Sequence, residues 1–123
     1  MISGIGTDIV AVPRLRAALE RRGPALARRL LAETEWPDFD RAADPARLLA
    51  KRFAAKEAFL KALGTGLRGL RWTDMAVQHD RQGKPSLWFS AALASRLAGH
   101  RCHLSLSDEQ DYAMAFVIIE SES

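Results

Sequence analysis

The chain has one cysteine, Cys102, which excludes an internal disulfide. That residue lies in a segment alternating apolar and polar positions, which predicts a core thiol rather than a nucleophile. Hydrophobic runs are short. None reaches the ~20 residues of a membrane span, and MISGIGTDIV lacks the basic start and long apolar stretch of a secretory signal. A soluble, cytoplasmic protein is the expectation. Several chemical motifs are also missing. Gly4-Ile5-Gly6 is not followed by the third glycine of a dinucleotide fingerprint, and neither a phosphate-loop lysine pattern nor a GxSxG elbow occurs. His79, His100 and His103 lack metal-site spacing with cysteine or with one another. With no internal repeat, low-complexity tract or linker, the 123 residues are expected to form a single domain, 1–123.

What is present begins with charge. Lys and Arg number 18 against 15 Asp and Glu, a net charge of +3, and the excess is unevenly placed. Arg14, Arg16, Arg21, Arg22, Arg28 and Arg29 share one stretch with a single acid, Glu20. Such a stretch suits an acidic partner, protein or nucleic acid, and equally a solvated helical face. A small basic nucleic-acid-binding module is therefore one reading. Aromatics make up only 7% of the chain and are not interleaved with these arginines, as single-strand binders require.

The order of elements predicts an α+β fold, a mainly antiparallel sheet packed against a long central helix. Ile2 to Val10 is β-branched and punctuated by glycine, which suits a strand. Pro13 opens a helix from Arg14 to Arg22 that ends at Gly23-Pro24. A second piece from Ala25 to Ala32 leads to a further helix start around Thr34-Glu35-Trp36-Pro37. Asp44 can cap, with Pro45 in the first turn, a helix running to Leu63 and stopped by Gly64. Met75 to His79 and Pro85 to Phe89 flank the turn at Asp80 to Gly83. Ser90 caps a short helix from Ala91 to Leu97, closed by Gly99. Cys102 to Ser107 and Ala113 to Ile119 then form a hairpin about an acidic turn of Asp108, Glu109 and Asp111.

The central helix carries the chemistry. Leu49, Phe53, Leu60 and Leu63 define its apolar stripe; Lys56 falls inside the stripe, Glu57 on its edge, and Lys61 one turn beyond Glu57. An exposed Glu57–Lys61 pair contributes only about 0.3–0.5 kcal/mol. In that reading the chain is a purely structural domain. Charges set against an apolar stripe must be desolvated, however, and so need a partner. Glu57 offers oxygen to a hard cation, while Lys56 and Lys61 offer donors to phosphate. The turn Gly64-Thr65-Gly66 can bring backbone N–H groups close to that phosphate. Asp8 supplies a second acid: strand alternation puts it on one side with Gly4 and Gly6, which leave room for something to approach. Two carboxylates, water and substrate phosphates are what Mg²⁺ collects.

GIGTDIV near the start, RFAAKEAFLKALGTG in the middle, and QGKP followed by HLSLSDEQDYAMAFVIIE at the end resemble the holo-[acyl-carrier-protein] synthases, the small bacterial 4′-phosphopantetheinyl transferases. The resemblance spans the chain in order, and the early Asp with the (F/W)xxKExxxK helix is its specific part. It implies a 4′-phosphopantetheinyl transferase-like fold and transfer of phosphopantetheine from coenzyme A to a serine of apo-acyl carrier protein, as in fatty acid biosynthesis, releasing adenosine 3′,5′-bisphosphate. By motif position, Asp8, Glu57 and Lys61 would be catalytic, with Asp8 and Glu57 holding Mg²⁺ against the pyrophosphate. The resemblance leaves the serine's proton acceptor open among Glu57, Lys61 and a coordinated water. Lys61, Gly64, Thr65, Gly66, Lys84, Pro85, Arg52 and Ser107 would bind coenzyme A. Arg14 and Arg21 would dock the acidic carrier, which gives the basic helix a protein partner rather than nucleic acid. A homotrimer with sites between protomers is also implied, with no membrane association.

Two positions depart from the family pattern. Many members have His where this chain has Asp108, so any phosphate-holding role of that His does not carry over, and an acid there is expected to repel phosphate. Some members have Ser where Leu60 stands.

Overall fold

The computed structural model describes residues 1–122. Strand β1 (Ile2–Ala11) runs directly into helix α1 (Val12–Arg22), and α2 (Pro24–Leu30) follows. A 3₁₀ turn at Glu33–Glu35 leads to α3 (Trp36–Arg41) and then to α4 (Pro45–Leu63). Beyond a second 3₁₀ turn at Trp72–Asp74 come β2 (Met75–His79), β3 (Pro85–Phe89), α5 (Ala91–Arg96), β4 (His100–Glu109) and β5 (Tyr112–Ser121). The strands form an antiparallel sheet of order β1-β5-β4 and a separate β2-β3 hairpin. The α+β class and the long central helix are as expected. The last hairpin is longer than anticipated, because Asp108 and Glu109 pair within β4 and only Gln110-Asp111 turn.

Local chemistry explains the boundaries of α4. Asp44 accepts from the Arg47 amide at 3.2 Å, and Gly64 ends the helix in the left-handed region at φ 86°. Arg16 of α1 grips the same Asp44 carboxylate at 2.9 Å, which ties α1 to the start of α4.

The inner face of the sheet lies on α4. Ala113, Ala115 and Val117 of β5 are buried there with Ala54, Ala55, Ala58 and Phe59 of the helix. Strand β1 comes closest of all. A Cβ on Gly4 would lie 2.1 Å from the Ala62 carbonyl oxygen, and one on Gly6 would lie 2.0 Å from that of Ala58. The open side predicted next to these glycines is therefore filled by the helix backbone itself and admits no ligand. The two glycines set the strand-to-helix spacing, and with it the position of Asp8, the next inner-face residue.

The outer face of the sheet is uncovered. Ile5 pairs across from Ile118, Thr7 from Phe116 and Ile9 from Met114. On that face Ile5, Ile9, Met114 and Phe116 are 58%, 62%, 44% and 38% exposed. No helix of the described residues is long and apolar enough to cross a membrane.

Candidate active site

Asp8, Glu57 and Lys61 come together where β1 crosses the second half of α4. Lys61 Nζ donates to the Thr7 carbonyl at 2.9 Å and to Asp8 Oδ1 at 3.1 Å. Asp8 is mostly covered while Lys61 is half exposed, so the ion pair sits at a boundary with solvent. Burial raises the Glu57 pKa above the ordinary carboxylate value; the negative charge of Asp8 raises it further and Lys61 opposes both. Two carboxylates thus repel each other beside one ammonium group.

The cluster opens on a cleft of about 470 Å³ lined by Glu57, Leu60, Lys61, Gly64, Gly66, Leu67 and Trp72. Gly64 and Gly66 both hold positive φ, at 86° and 61°, so the chain doubles back tightly and presents backbone to the cleft. Thr65 is exposed at this turn, its hydroxyl donating to the Gly66 carbonyl at 3.3 Å. A cleft with backbone, an ammonium group and paired carboxylates at one end suits a polyphosphate bridged by a divalent cation.

The first charged residue of the motif has another fate. Lys56 is fully buried and donates to Glu35 Oε1 at 2.6 Å, to the Leu30 carbonyl at 2.7 Å and to the Trp72 carbonyl at 3.1 Å. With all three donors used, it has none for a phosphate, which corrects the expectation from the helix spacing. Desolvation lowers its pKa, against the pull of Glu35.

Residues 4–117 match the family model described as the 4′-phosphopantetheinyl transferase superfamily. The chain belongs to this family. Over 124 residues it is 53% identical to a holo-[acyl-carrier-protein] synthase of Nitrosomonas europaea, covering 98% of this chain and 99% of that one. Among solved structures, the synthase of Neisseria meningitidis superposes with a TM-score of 0.94 at 45% identity, covering 98% of this chain and all of the other. That of Bacillus anthracis, solved in complex with CoA (3′,5′-ADP), gives 0.83 at 35% identity, with 98% of each chain covered.

Within this transferase, the other anticipated ligand contacts are scattered. Arg52 is buried, its guanidinium on Glu35 at 3.4 Å and on Asp38 at 3.0 Å. It borders a second, basic cavity of about 300 Å³ with Arg47, Lys51 and His79. Lys84 ends the turn before β3 and Pro85 opens that strand, while Ser107 shares the uncovered sheet face with Ile9 and Met114. None of these four lines the Glu57 cleft of a single chain. Asp108 does not stand as a free repulsive charge. It takes Arg47 at 3.1 Å and Lys51 at 3.2 Å; burial raises its pKa, and the two cations together bring it below the ordinary value. Arg14 and Arg21 are exposed on α1 with no acidic partner among the described residues.

Leu60, Leu67, Trp72 and Glu35 were not anticipated as parts of the site or its support. Leu60 read as stripe and as a departure from the family pattern, and Glu35 only as a helix start. Trp72 follows a glycine-rich loop that carries no periodic signal.

Proposed function

We propose that this protein is a holo-[acyl-carrier-protein] synthase that moves the 4′-phosphopantetheine group of coenzyme A onto a serine of an apo-acyl carrier protein. The serine oxygen bonds to the phosphorus on the pantetheine side, the bond to the adenosine 3′,5′-bisphosphate oxygen breaks, and the serine proton departs to a base. The observation that carries this reading is the convergence of Asp8, Glu57 and Lys61 at the end of an open cleft, in a member of this transferase family.

Asp8 and Glu57 fit Mg²⁺. Burial and, after it, the charge of Asp8 raise the Glu57 pKa, and a dication between the two acids would relieve both effects. A donor set of two carboxylates also leaves positions for water and phosphate oxygens, which is how Mg²⁺ is commonly held. When bound, the ion neutralises charge on the pyrophosphate and orients it. Lys61 spends two donors on Thr7 and Asp8, which fixes its ammonium beside the acids and leaves one donor for a phosphate oxygen. Phosphoryl transfer depends chiefly on such positioning and charge stabilisation. The Gly64-Thr65-Gly66 turn, whose two glycines line the same cleft, offers backbone N–H groups to a phosphate of coenzyme A.

We assign the uncovered β1–β5 face to self-association as a homotrimer. Exposed Ile5, Ile9, Met114 and Phe116 favour burial by another copy. Ser107 lies on that face, so assembly provides a route by which Ser107 of one protomer reaches the cleft of another, whereas Arg52 is committed to Glu35 and Asp38 within its own chain. Arg14 and Arg21, exposed and without an acidic partner among the described residues, suit an acidic carrier and give docking that weakens with salt. The protein acts as a single cytoplasmic domain.

The test is incubation with coenzyme A, Mg²⁺ and an apo-acyl carrier protein, followed by mass spectrometry of the carrier. A gain of one phosphopantetheine, abolished by EDTA, is expected. An unmodified carrier across several carrier proteins would overturn the reading.

A further inference from the structure

A closed ionic junction lies under the cleft, and the transfer chemistry makes no use of it. Glu35 is 0% exposed. Its Oε1 accepts from the Ala32 amide at 2.9 Å and from Lys56 at 2.6 Å; its Oε2 accepts from the Val77 amide at 3.1 Å and from Arg52 at 3.4 Å. Lys56 is likewise 0% exposed and fully consumed. No buried side-chain polar atom among the described residues is left without a partner.

Stability alone is a weak account of this arrangement. Taking an ammonium and a carboxylate out of water is costly, and apolar residues of similar volume often serve a fold as well. The connectivity gives a better one. Lys56 precedes Glu57 on the same helical turn, and its Nζ grips the main chain of Trp72, whose ring packs on Phe53 at 5.3 Å between centroids. Trp72 is where residues 64–71 return to the body of the protein. That loop holds Gly64, Gly66 and Gly69 at positive φ and forms one wall of the cleft. Its first end is held by the Gly64 amide on the Leu60 carbonyl at 2.9 Å. Its far end is fastened by the Lys56–Trp72 bond. Glycine-rich loops of this kind sample many conformations unless tied down.

We propose that Lys56 is a positioning residue, clamping the far end of the 64–71 loop to the helical turn that carries Glu57, with Glu35 as its buried counter-ion. The clamp keeps the coenzyme A cleft formed before ligand arrives. This rests on the reading of that cleft as the coenzyme A site. An unclamped loop must be ordered by the ligand itself, which weakens binding without altering the groups that act on the phosphate.

The test compares the whole protein with Lys56→Met and with the milder Lys56→Gln, whose amide can still donate to Glu35 or Trp72. Each folded variant is measured for kcat, for KM of coenzyme A and of the carrier, and for hydrogen–deuterium exchange. For Lys56→Met, the coenzyme A KM should rise about tenfold while kcat and the carrier KM stay within about threefold. Exchange should quicken in 64–71 and stay slow in β1 and β5. Lys56→Gln should fall between that variant and the wild type. A folded Lys56→Met with a coenzyme A KM within about twofold of wild type overturns the clamp, as does exchange that quickens evenly along the chain. If neither variant folds, the junction is a folding requirement and the positioning role is refuted. Absence of turnover in the wild type would instead refute the transferase reading, while loop exchange would still report on the clamp.

Discussion

Two lysines five positions apart on one helix meet opposite ends. Around Lys56 the structure is sealed: an acid, two carbonyls and no water-facing donor. Around Lys61 it is open, with the ammonium half exposed and a pair of acids held near each other. Both regions join a lysine to a carboxylate, but the first neutralises its charges internally and the second keeps an electrostatic deficit that a ligand can fill. What separates a structural ion pair from a reactive one here is whether its donors and acceptors are exhausted, not their spacing in sequence.

The largest effect should come from the open region. Glu57→Gln is expected to lower transfer by about 10²–10³-fold. Its melting temperature should stay at or above that of the metal-free wild type, because a repelled carboxylate has been removed. Near-normal turnover would erase the contrast between the two regions. Lys61→Met should lose about 10–10²-fold in kcat with little change in stability, since the lost contacts are half exposed. A large fall in melting temperature there would make Lys61 a structural residue like Lys56.

Gly6→Ala probes what sets the open region without touching the sealed one. Its new methyl would meet the Ala58 carbonyl, so strand and helix must part, at a cost of about 1–3 kcal/mol. Transfer should fall because Asp8 moves relative to Glu57, while exchange in 64–71 stays native. A variant with wild-type activity would show that the close approach is not what places Asp8.

The smallest effect is on pH dependence. Glu57 has a folded-state pKa raised above its ordinary 4.5, so its contribution is full below that value and is lost as pH rises through the raised one. The metal-free wild type should therefore lose stability relative to Glu57→Gln over that interval, and saturating Mg²⁺ should reverse the trend. Parallel pH curves would mean that neither burial nor the charge of Asp8 destabilises the Glu57 carboxylate.

The fold was readable where a local signal fixes an end. Asp44-Pro45 and Gly64 bounded α4 because capping and left-handed stops are properties of single residues. Ser90 marked α5 in the same way, its hydroxyl accepting from the Leu93 amide at 3.5 Å. Asp8, Glu57 and Lys61 were legible through motif and charge. Lys56 was misread because helical periodicity shows that a lysine faces inward but not which acid meets it, and Glu35 comes from a 3₁₀ turn without a period. Gly4 and Gly6 were rightly seen to leave space, but sequence does not say whether a ligand or a helix takes it. The scattered positions of Arg52, Lys84, Pro85 and Ser107 depend on tertiary placement, which no local pattern encodes.

The central claim is that Asp8 and Glu57 share one dication. Titrating the protein with Mn²⁺ as a Mg²⁺ surrogate, followed by electron paramagnetic resonance, tests it most directly. The account predicts one site in the wild type, displaced by Mg²⁺ and lost in both Asp8→Asn and Glu57→Gln. Undiminished Mn²⁺ binding in either variant would contradict it.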